Sequence, residues 1–429
     1  LAIGRHVATT AHLCTLYPFT VQAPLATGGV LLGADHLTGG GAFTFDLFDA
    51  YQAGLVQGPN MVISGAGAHG KSALAKAYVY RSSLLTGHSR FVAVIDPKGE
   101  WVRLAHRLGW AVLQLRPGGD TRINPLDPGP THTPAAAGQT AAGQSGAAAA
   151  QASAAAATML AIELGQPELT ASQHRLIGAA LRRLSTRDQP PTLPDLRQLL
   201  ADPPTDLATE LDTTTAELAE RRRPLLDAAA LLLEHDLRGI ADGPATVTLD
   251  WTTSPGLVLD LSALLTNRKA LRLVLTAAAG WLAGLMYRTP DRRKLTIIDE
   301  GWAALDDLAV VKLLQDQWRL GRQWGCGNIL ITHALSDLRS QTDDGTAHGK
   351  IAEGLLNTTS VRVFLHQNPE QITRLLTDLG LTTTEADLLD TLPPFHALWK
   401  IGPHTALTNH PITPDEWPLY DTDTAMTRG

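Results

Sequence analysis

The chain has 429 residues, of which 44% are apolar and 18% charged, enough for a substantial core and too apolar for a disordered chain. Its 35 Lys+Arg against 42 Asp+Glu give a formal charge of -7, which argues against a basic, histone-like nucleic-acid binder but leaves a local basic channel open. Cys14 and Cys326 lie far apart without CxxC spacing, so neither a thiolate metal site nor a disulfide framework is expected.

In chain order, residues 1–58 are punctuated by Gly28-Gly29, Gly33 and Gly39-Gly40-Gly41, which predicts a β-rich N-terminal segment packed beside the next domain. Over 59–127, β-branched runs at 61–63, 91–95 and 111–115 alternate with helical stretches at 72–83 and 101–108. That is the pattern of a parallel sheet with helices on its faces. The pattern breaks over 128–250. Residues 128–156 carry no Asp, Glu, Lys or Arg and read as a flexible or partly helical surface insertion. Residues 160–236 read as a helical subdomain broken at Pro190-Pro191 and Pro203-Pro204. The sheet domain resumes over 251–429, with strands expected at 257–259, 295–298, 328–331 and 361–365, helices at 268–287 and 306–320, and a C-terminal tail. The most apolar stretch, 271–286, is bounded by Arg268, Lys269 and Arg288 and is too short to span a bilayer comfortably, so no membrane span is expected. The chain opens on Leu1 without a basic n-region or export cleavage signal, and upstream residues, including any membrane anchor, are expected to be missing.

Gly65-Ala66-Gly67-Ala68-His69-Gly70-Lys71-Ser72 fits G-x-x-x-x-G-K-[ST] directly after one expected strand and before a helix that Ala73 continues. Glycines let the backbone N–H groups converge on phosphate oxygens, Lys71 reaches the β- and γ-phosphates, and the Ser72 hydroxyl suits Mg2+. A plain Gly-rich turn is the bland alternative, and the strand-loop-helix frame favours an ATP site.

Asp299-Glu300 ends the expected strand at 295–298, where α/β sheets deliver ligand-binding groups. Asp299 suits the metal's water shell and Glu300 suits activation of the attacking water, against the commoner reading of an acidic pair as a helix cap. Asp96-Pro97-Lys98-Gly99-Glu100 follows another strand. Glu100 or Asp96 is a second candidate for water or metal there, and a solvated turn is the alternative. Arg122-Ile123-Asn124-Pro125-Leu126-Asp127 reads as a loop fixer or a simple turn. Arg319 and Arg322 are spaced to share a helix face, as a basic surface or as an arginine finger into a neighbouring subunit. His333 follows the strand at 328–331 and is a candidate γ-phosphate sensor, with a packed histidine as its alternative. None of the 15 histidines falls in HExxH.

The ordered set of the phosphate loop, DPKGEW at 96–101, RINPLD at 122–127, DEGWAAL at 299–305 and QWRLGRQW at 317–324 resembles the assembly ATPases of type IV secretion and conjugative transfer machines. These belong to the wider FtsK/HerA group of motor ATPases. The resemblance takes in 11–19, Phe45-Asp46 and about 371–421, and so covers most of the chain. It implies an α/β P-loop NTPase of RecA-like type with an inserted helical subdomain, using ATP and Mg2+. It further implies a hexamer at the cytoplasmic face of the inner membrane, contacting membrane components and other ATPases of the channel. Lys71, Ser72, Asp299 and Glu300 match the nucleotide and hydrolysis residues, and Arg322 stands where a motif arginine is expected. His333 departs from the usual glutamine. Two alternatives are a DNA-translocating coupling or HerA-like ATPase, which should line a pore with basic residues such as Arg221-Arg222-Arg223 or Arg182-Arg183, and a nucleotide-binding scaffold with little turnover.

Overall fold

The computed structural model describes residues 25, 28–127, 141–187, 189–247, 253–288, 292–300, 315, 318–319, 321–333, 354 and 358–421. In chain order these form β1 (Val30–Asp35), β2 (Gly41–Phe45), α1 (Leu47–Gln52), β3 (Asn60–Ser64), α2 (Lys71–Thr86), β4 (Arg90–Asp96), α3 (Val102–Leu108) and β5 (Ala111–Gln114). A helical run follows, with α4 (Ala141–Glu163), α5 (Ala171–Leu184), α6 (Leu193–Ala201), α7 (Leu207–Glu210) and α8 (Thr215–Leu231). Then come β6 (Gly256–Asp260), α9 (Arg268–Arg288), β7 (Arg293–Ile298), β8 (Cys326–Thr332), β9 (Val361–Phe364), α10 (Pro369–Leu379), α11 (Thr383–Thr391), β10 (His396–Ile401), β11 (His404–Asn409) and α12 (Trp417–Tyr420). They fall into two units, one from 1–86, 329–337 and 359–429, the other from 87–328 and 338–358.

In the first unit the strand order is β2-β1-β11-β10-β9-β3. Here β9 pairs β3 in parallel, whereas β1–β2, β1–β11, β10–β11 and β9–β10 are antiparallel. The expectation of a parallel, RecA-like sheet therefore fails in this unit. For β1–β2 and β10–β11 the physical reason is connection length, because short loops can join only antiparallel neighbours. The stretch after β9 contributes two further strands to this sheet. Gly402-Pro403 turns the chain between β10 and β11, and Trp399 on β10 is fully buried, with ring centroids 5.0 Å from Phe43 and 5.1 Å from Phe45. Gly402 has φ +55°, and a Cβ there would lie 2.3 Å from the Leu55 carbonyl oxygen, so both conformation and space demand glycine.

The second unit meets the parallel expectation: the order is β7-β4-β6-β5 and every pairing is parallel. Its strands are near-continuous apolar runs, as burial on both faces requires. The helical run is started by three capping boxes, at Thr170, Thr192 and Thr214, each satisfying orphan N–H groups of a first turn. The uncharged stretch is not wholly a surface feature. Residues 128–140 lie outside the described residues, but from Ala152 onward α4 is buried at Ala152, Ala155 and Ala156. A Cβ on Gly280 of α9 would stand 2.9 Å from that of Ala155, so the small residues there permit close helix approach. Among the described residues no helix is long and apolar enough to cross a membrane.

Candidate functional site

The two strand-end motifs expected to carry the chemistry lie one in each unit. In the first unit, β3 ends at Ser64, whose carbonyl accepts from the Leu365 N–H at 2.9 Å, and the Ala66 N–H donates to the His366 carbonyl at 2.8 Å. The loop is thus anchored to the segment that leaves β9. Gly65 packs so closely there that a Cβ would fall 2.8 Å from that of Leu365. Gly70 has φ +94°, and its Cβ would meet the Phe395 ring at 2.7 Å, while the Phe395 N–H donates to the His69 carbonyl at 3.1 Å. Ala68 is left-handed at φ 60°. His69 stacks on His366 with ring centroids 4.4 Å apart, and its Nδ1 lies 2.7 Å from the Gly67 carbonyl oxygen.

Lys71 and Ser72 open α2, Ala73 lies in its first turn, and the N–H groups of that turn face the loop as a helix N-terminus does. Lys71 is 7% exposed. Its Nζ donates to the Ala66 carbonyl at 2.9 Å and stands 3.3 Å from Nδ1 of His333. The ammonium has only protons to offer, so in this contact Nδ1 is the acceptor side. His333, proposed above as a sensor, is therefore brought to the loop lysine. Buried ammonium, helix N-terminus and glycine-punctuated turn together make a donor set that fits a polyphosphate.

In the second unit, β7 delivers Asp299 and Glu300, which are 3% and 8% exposed. The Asp299 N–H donates to the Ile95 carbonyl at 3.1 Å, extending the sheet by one bond. Glu300 is in the left-handed region at φ 53°, a conformation that costs a non-glycine residue about 1–3 kcal/mol and is found mostly where function requires it. The Asp299 carboxylate accepts from the Glu300 N–H at 2.9 Å through Oδ1 and from the Trp101 indole N–H at 2.7 Å through Oδ2. Glu300 Oε1 accepts from Lys98 Nζ at 2.5 Å. Burial lowers the Lys98 pKa, but the hydrogen bond and charge of Glu300 outweigh it, with Glu100 adding to the field, and the ammonium is held above the ordinary lysine range. A buried, oxygen-only carboxylate fits a hard cation such as Mg2+.

Trp101 and Lys98 were not singled out as site residues by sequence reasoning. Both lie in the loop 96–101, whose Asp96 accepts from the Lys98 N–H at 3.2 Å and from the Trp101 N–H at 2.8 Å. Position after a strand was the available signal, and it pointed to the acidic residues of the loop. Glu100 is half-buried, and Arg319 and Arg322 are exposed. Arg322 closes the turn before β8, its carbonyl accepting from the Gly325 N–H at 3.4 Å. The second loop is structural: Asn124, 2% exposed, donates to the Pro191 carbonyl at 3.0 Å, and Arg122 pairs with Asp242 at 2.6 Å.

The sequence matches no protein-family model and no curated protein sequence. The fold is similar to that of VirB4 of Thermoanaerobacter pseudethanolicus, with TM-score 0.71 and 20% identity over 92% of this chain and 100% of that one. The chain has the VirB4 fold. It is also similar to the bacterial conjugative coupling protein TrwB, unbound, at TM-score 0.55 and 17% identity over 82% of this chain and 85% of that one. TrwB in complex with ADP and Mg2+ matches at TM-score 0.54 and 15% identity, over 82% of this chain and 86% of that one. The resemblance read from the motifs thus holds at the level of the fold, an α/β P-loop NTPase related to VirB4 and TrwB.

Proposed function

We propose that this VirB4-like chain is an ATP-hydrolysing motor subunit of a type IV secretion or conjugative transfer apparatus. The observation that carries the proposal is the phosphate loop itself, a turn with glycine at 65, 67 and 70 on a helix N-terminus with Lys71 buried in it, set in a VirB4 fold. Lys71 and the N–H groups of 65–73 hold the phosphates, with Ser72 and Asp299 as metal-side oxygens. Bound Mg2+ neutralises charge on the phosphates. Glu300 orients water and takes its proton, and His333, through Lys71, registers the phosphate end of the loop. Arg319 or Arg322, both exposed, supplies a finger to a neighbouring subunit, which calls for a hexamer at work. Its place is the cytoplasmic face of the inner membrane, against membrane components and other ATPases of the channel.

A DNA-moving role is the second reading, favoured by the TrwB likeness. The basic clusters that would serve it are engaged within the chain. Arg183 pairs with Asp206 and Glu210, Arg182 pairs with Glu210, Arg221 pairs with Glu217, and Arg222 donates to the carbonyls of Leu200 and Ala201. Steady-state ATP hydrolysis measured across protein concentration, with and without single- and double-stranded DNA and with Lys71→Ala as blank, separates the readings. Concentration-dependent turnover indifferent to DNA supports the secretion motor, strong DNA stimulation supports a translocase, and turnover no greater than the blank leaves a scaffold.

A further inference from the structure

We propose that Trp101 is a positioning residue, whose indole N–H aims the Asp299 carboxylate for Mg2+. The inference rests on the nucleotide reading above and goes one step further into the same site. Trp101 is fully buried, and an indole has a single donor and no acceptor, so in an apolar interior that N–H must find a partner. The partner here is a carboxylate oxygen, Asp299 Oδ2, at 2.7 Å, and the residue is fixed at its other end as well. Its backbone N–H donates to Asp96 Oδ2 at 2.8 Å. Asp96 ends β4, and β4 pairs in parallel with β7, the strand that carries Asp299.

The indole is therefore gripped from the strand beside the one it serves. A rigid ring with two torsions, buried on all sides, cannot swing, and it denies Asp299 rotation about its own Cβ–Cγ bond. With Oδ1 accepting from the Glu300 N–H, the carboxylate plane is fixed from two directions, which is the orientation a metal's ligand shell requires of a ligating carboxylate. Partners that orient a metal-ligating carboxylate behave this way in general, and losing one weakens metal affinity about 10–100-fold. Phe and Tyr at position 101 fill much of the same volume but place no N–H at that point.

The test is Trp101→Phe in the full chain, titrated with a fluorescent ATP analogue first in chelator and then over a Mg2+ series. The expected result is unchanged analogue affinity in chelator and a Mg2+ half-saturation raised about tenfold or more, with the thermal midpoint recorded alongside. A folded variant with parental Mg2+ half-saturation overturns the proposal and leaves the nucleotide reading standing. A parent protein whose nucleotide binding ignores Mg2+ also overturns the proposal alone, and a parent that binds no analogue in either condition overturns both. Should Trp101→Phe fail to fold, 3-benzothienylalanine at position 101, which keeps the bicyclic shape and replaces only the N–H, gives the same two outcomes.

Discussion

The phosphate loop and the carboxylate pair are both strand-end motifs, yet they are held in different ways. The loop carries its constraints as glycines in its own sequence: Gly65 and Gly70 permit close approach to Leu365 and Phe395 from far along the chain, and Lys71 reaches back to the carbonyl of Ala66 five residues earlier. The carboxylates are shaped from a distance, Asp299 by Trp101 198 positions away and Glu300 by Lys98 202 positions away. A motif with local constraints is visible in a sequence. One whose geometry is imposed by a neighbouring strand shows only its chemistry.

The largest expected effect tests whether Glu300 is the reactive member of the pair. Glu300→Gln should lower ATP turnover about 10²–10⁴-fold while leaving nucleotide affinity intact, measured by hydrolysis rate and by equilibrium binding on one preparation. Near-parental hydrolysis would remove Glu300 from the role of base. Next in size is Lys98→Met, which frees the Glu300 carboxylate from its ammonium. If Lys98 sets where that carboxylate points, turnover should fall about 10–100-fold through misplacement, with nucleotide affinity unchanged and with partial recovery in Lys98→Arg. An equal fall in affinity and turnover would instead mark Lys98 as a ligand for nucleotide.

The same contrast governs how much could be read in advance. β3, α2, β4, α3 and β5 follow from the alternation of apolar runs between residues 61 and 115, because each is a local pattern and β3 and β4 are buried on both faces. Strands β10 and β11 did not follow, although His396–Ile401 and His404–Asn409 flank a two-residue Gly402-Pro403 turn, a recognisable hairpin signal. What the pattern conceals is that β1, nearly 400 positions upstream, pairs with β11. In the site, Lys71, Ser72, Asp299 and Glu300 are legible by spacing. Trp101 is not, since nothing in a lone sequence distinguishes a tryptophan that fills a core from one that aims a carboxylate.

Smaller effects are expected where the loop is tested for its packing and not for its chemistry. Gly70→Ala forces a side chain into φ +94° and against the Phe395 ring, and Phe395 is itself left-handed at φ 61°. The substitution should destabilise the first unit by about 1–3 kcal/mol and weaken nucleotide binding with it, as read from denaturant melts and binding curves. Adding Phe395→Ala removes the collision but not the strain at position 70, so it should restore part of the stability and not all.

The smallest effects separate two arginine clamps that look alike on paper. Arg81 on α2 donates to both oxygens of Glu416 at 2.7 and 2.8 Å, and to the carbonyls of Leu31 and Pro411. Arg183 on α5 likewise grips Asp206 and Glu210 at 2.8 Å. The first clamp is partly enclosed, with the Glu416 side chain 7% exposed, whereas the Asp206 side chain is 69% exposed. Burial raises the Glu416 pKa, but the hydrogen bonds from Arg81 and Thr413 and the charge of Arg81 together outweigh it and hold the carboxyl below its ordinary value of 4.5. A folded pKa below the unfolded one gives stability that is complete above the ordinary value and is lost as pH falls through the folded value. The first unit should therefore melt earlier as pH drops below about 4.5, and Glu416→Gln should flatten that part of the dependence. Arg183→Ala should leave the melting midpoint at pH 7 within about 1 °C of the parent, because solvent and salt screen an exposed pair whatever its geometry. A midpoint shift from Arg183→Ala as large as that from Arg81→Ala would mean that geometry, and not enclosure, sets the worth of such clamps in this chain.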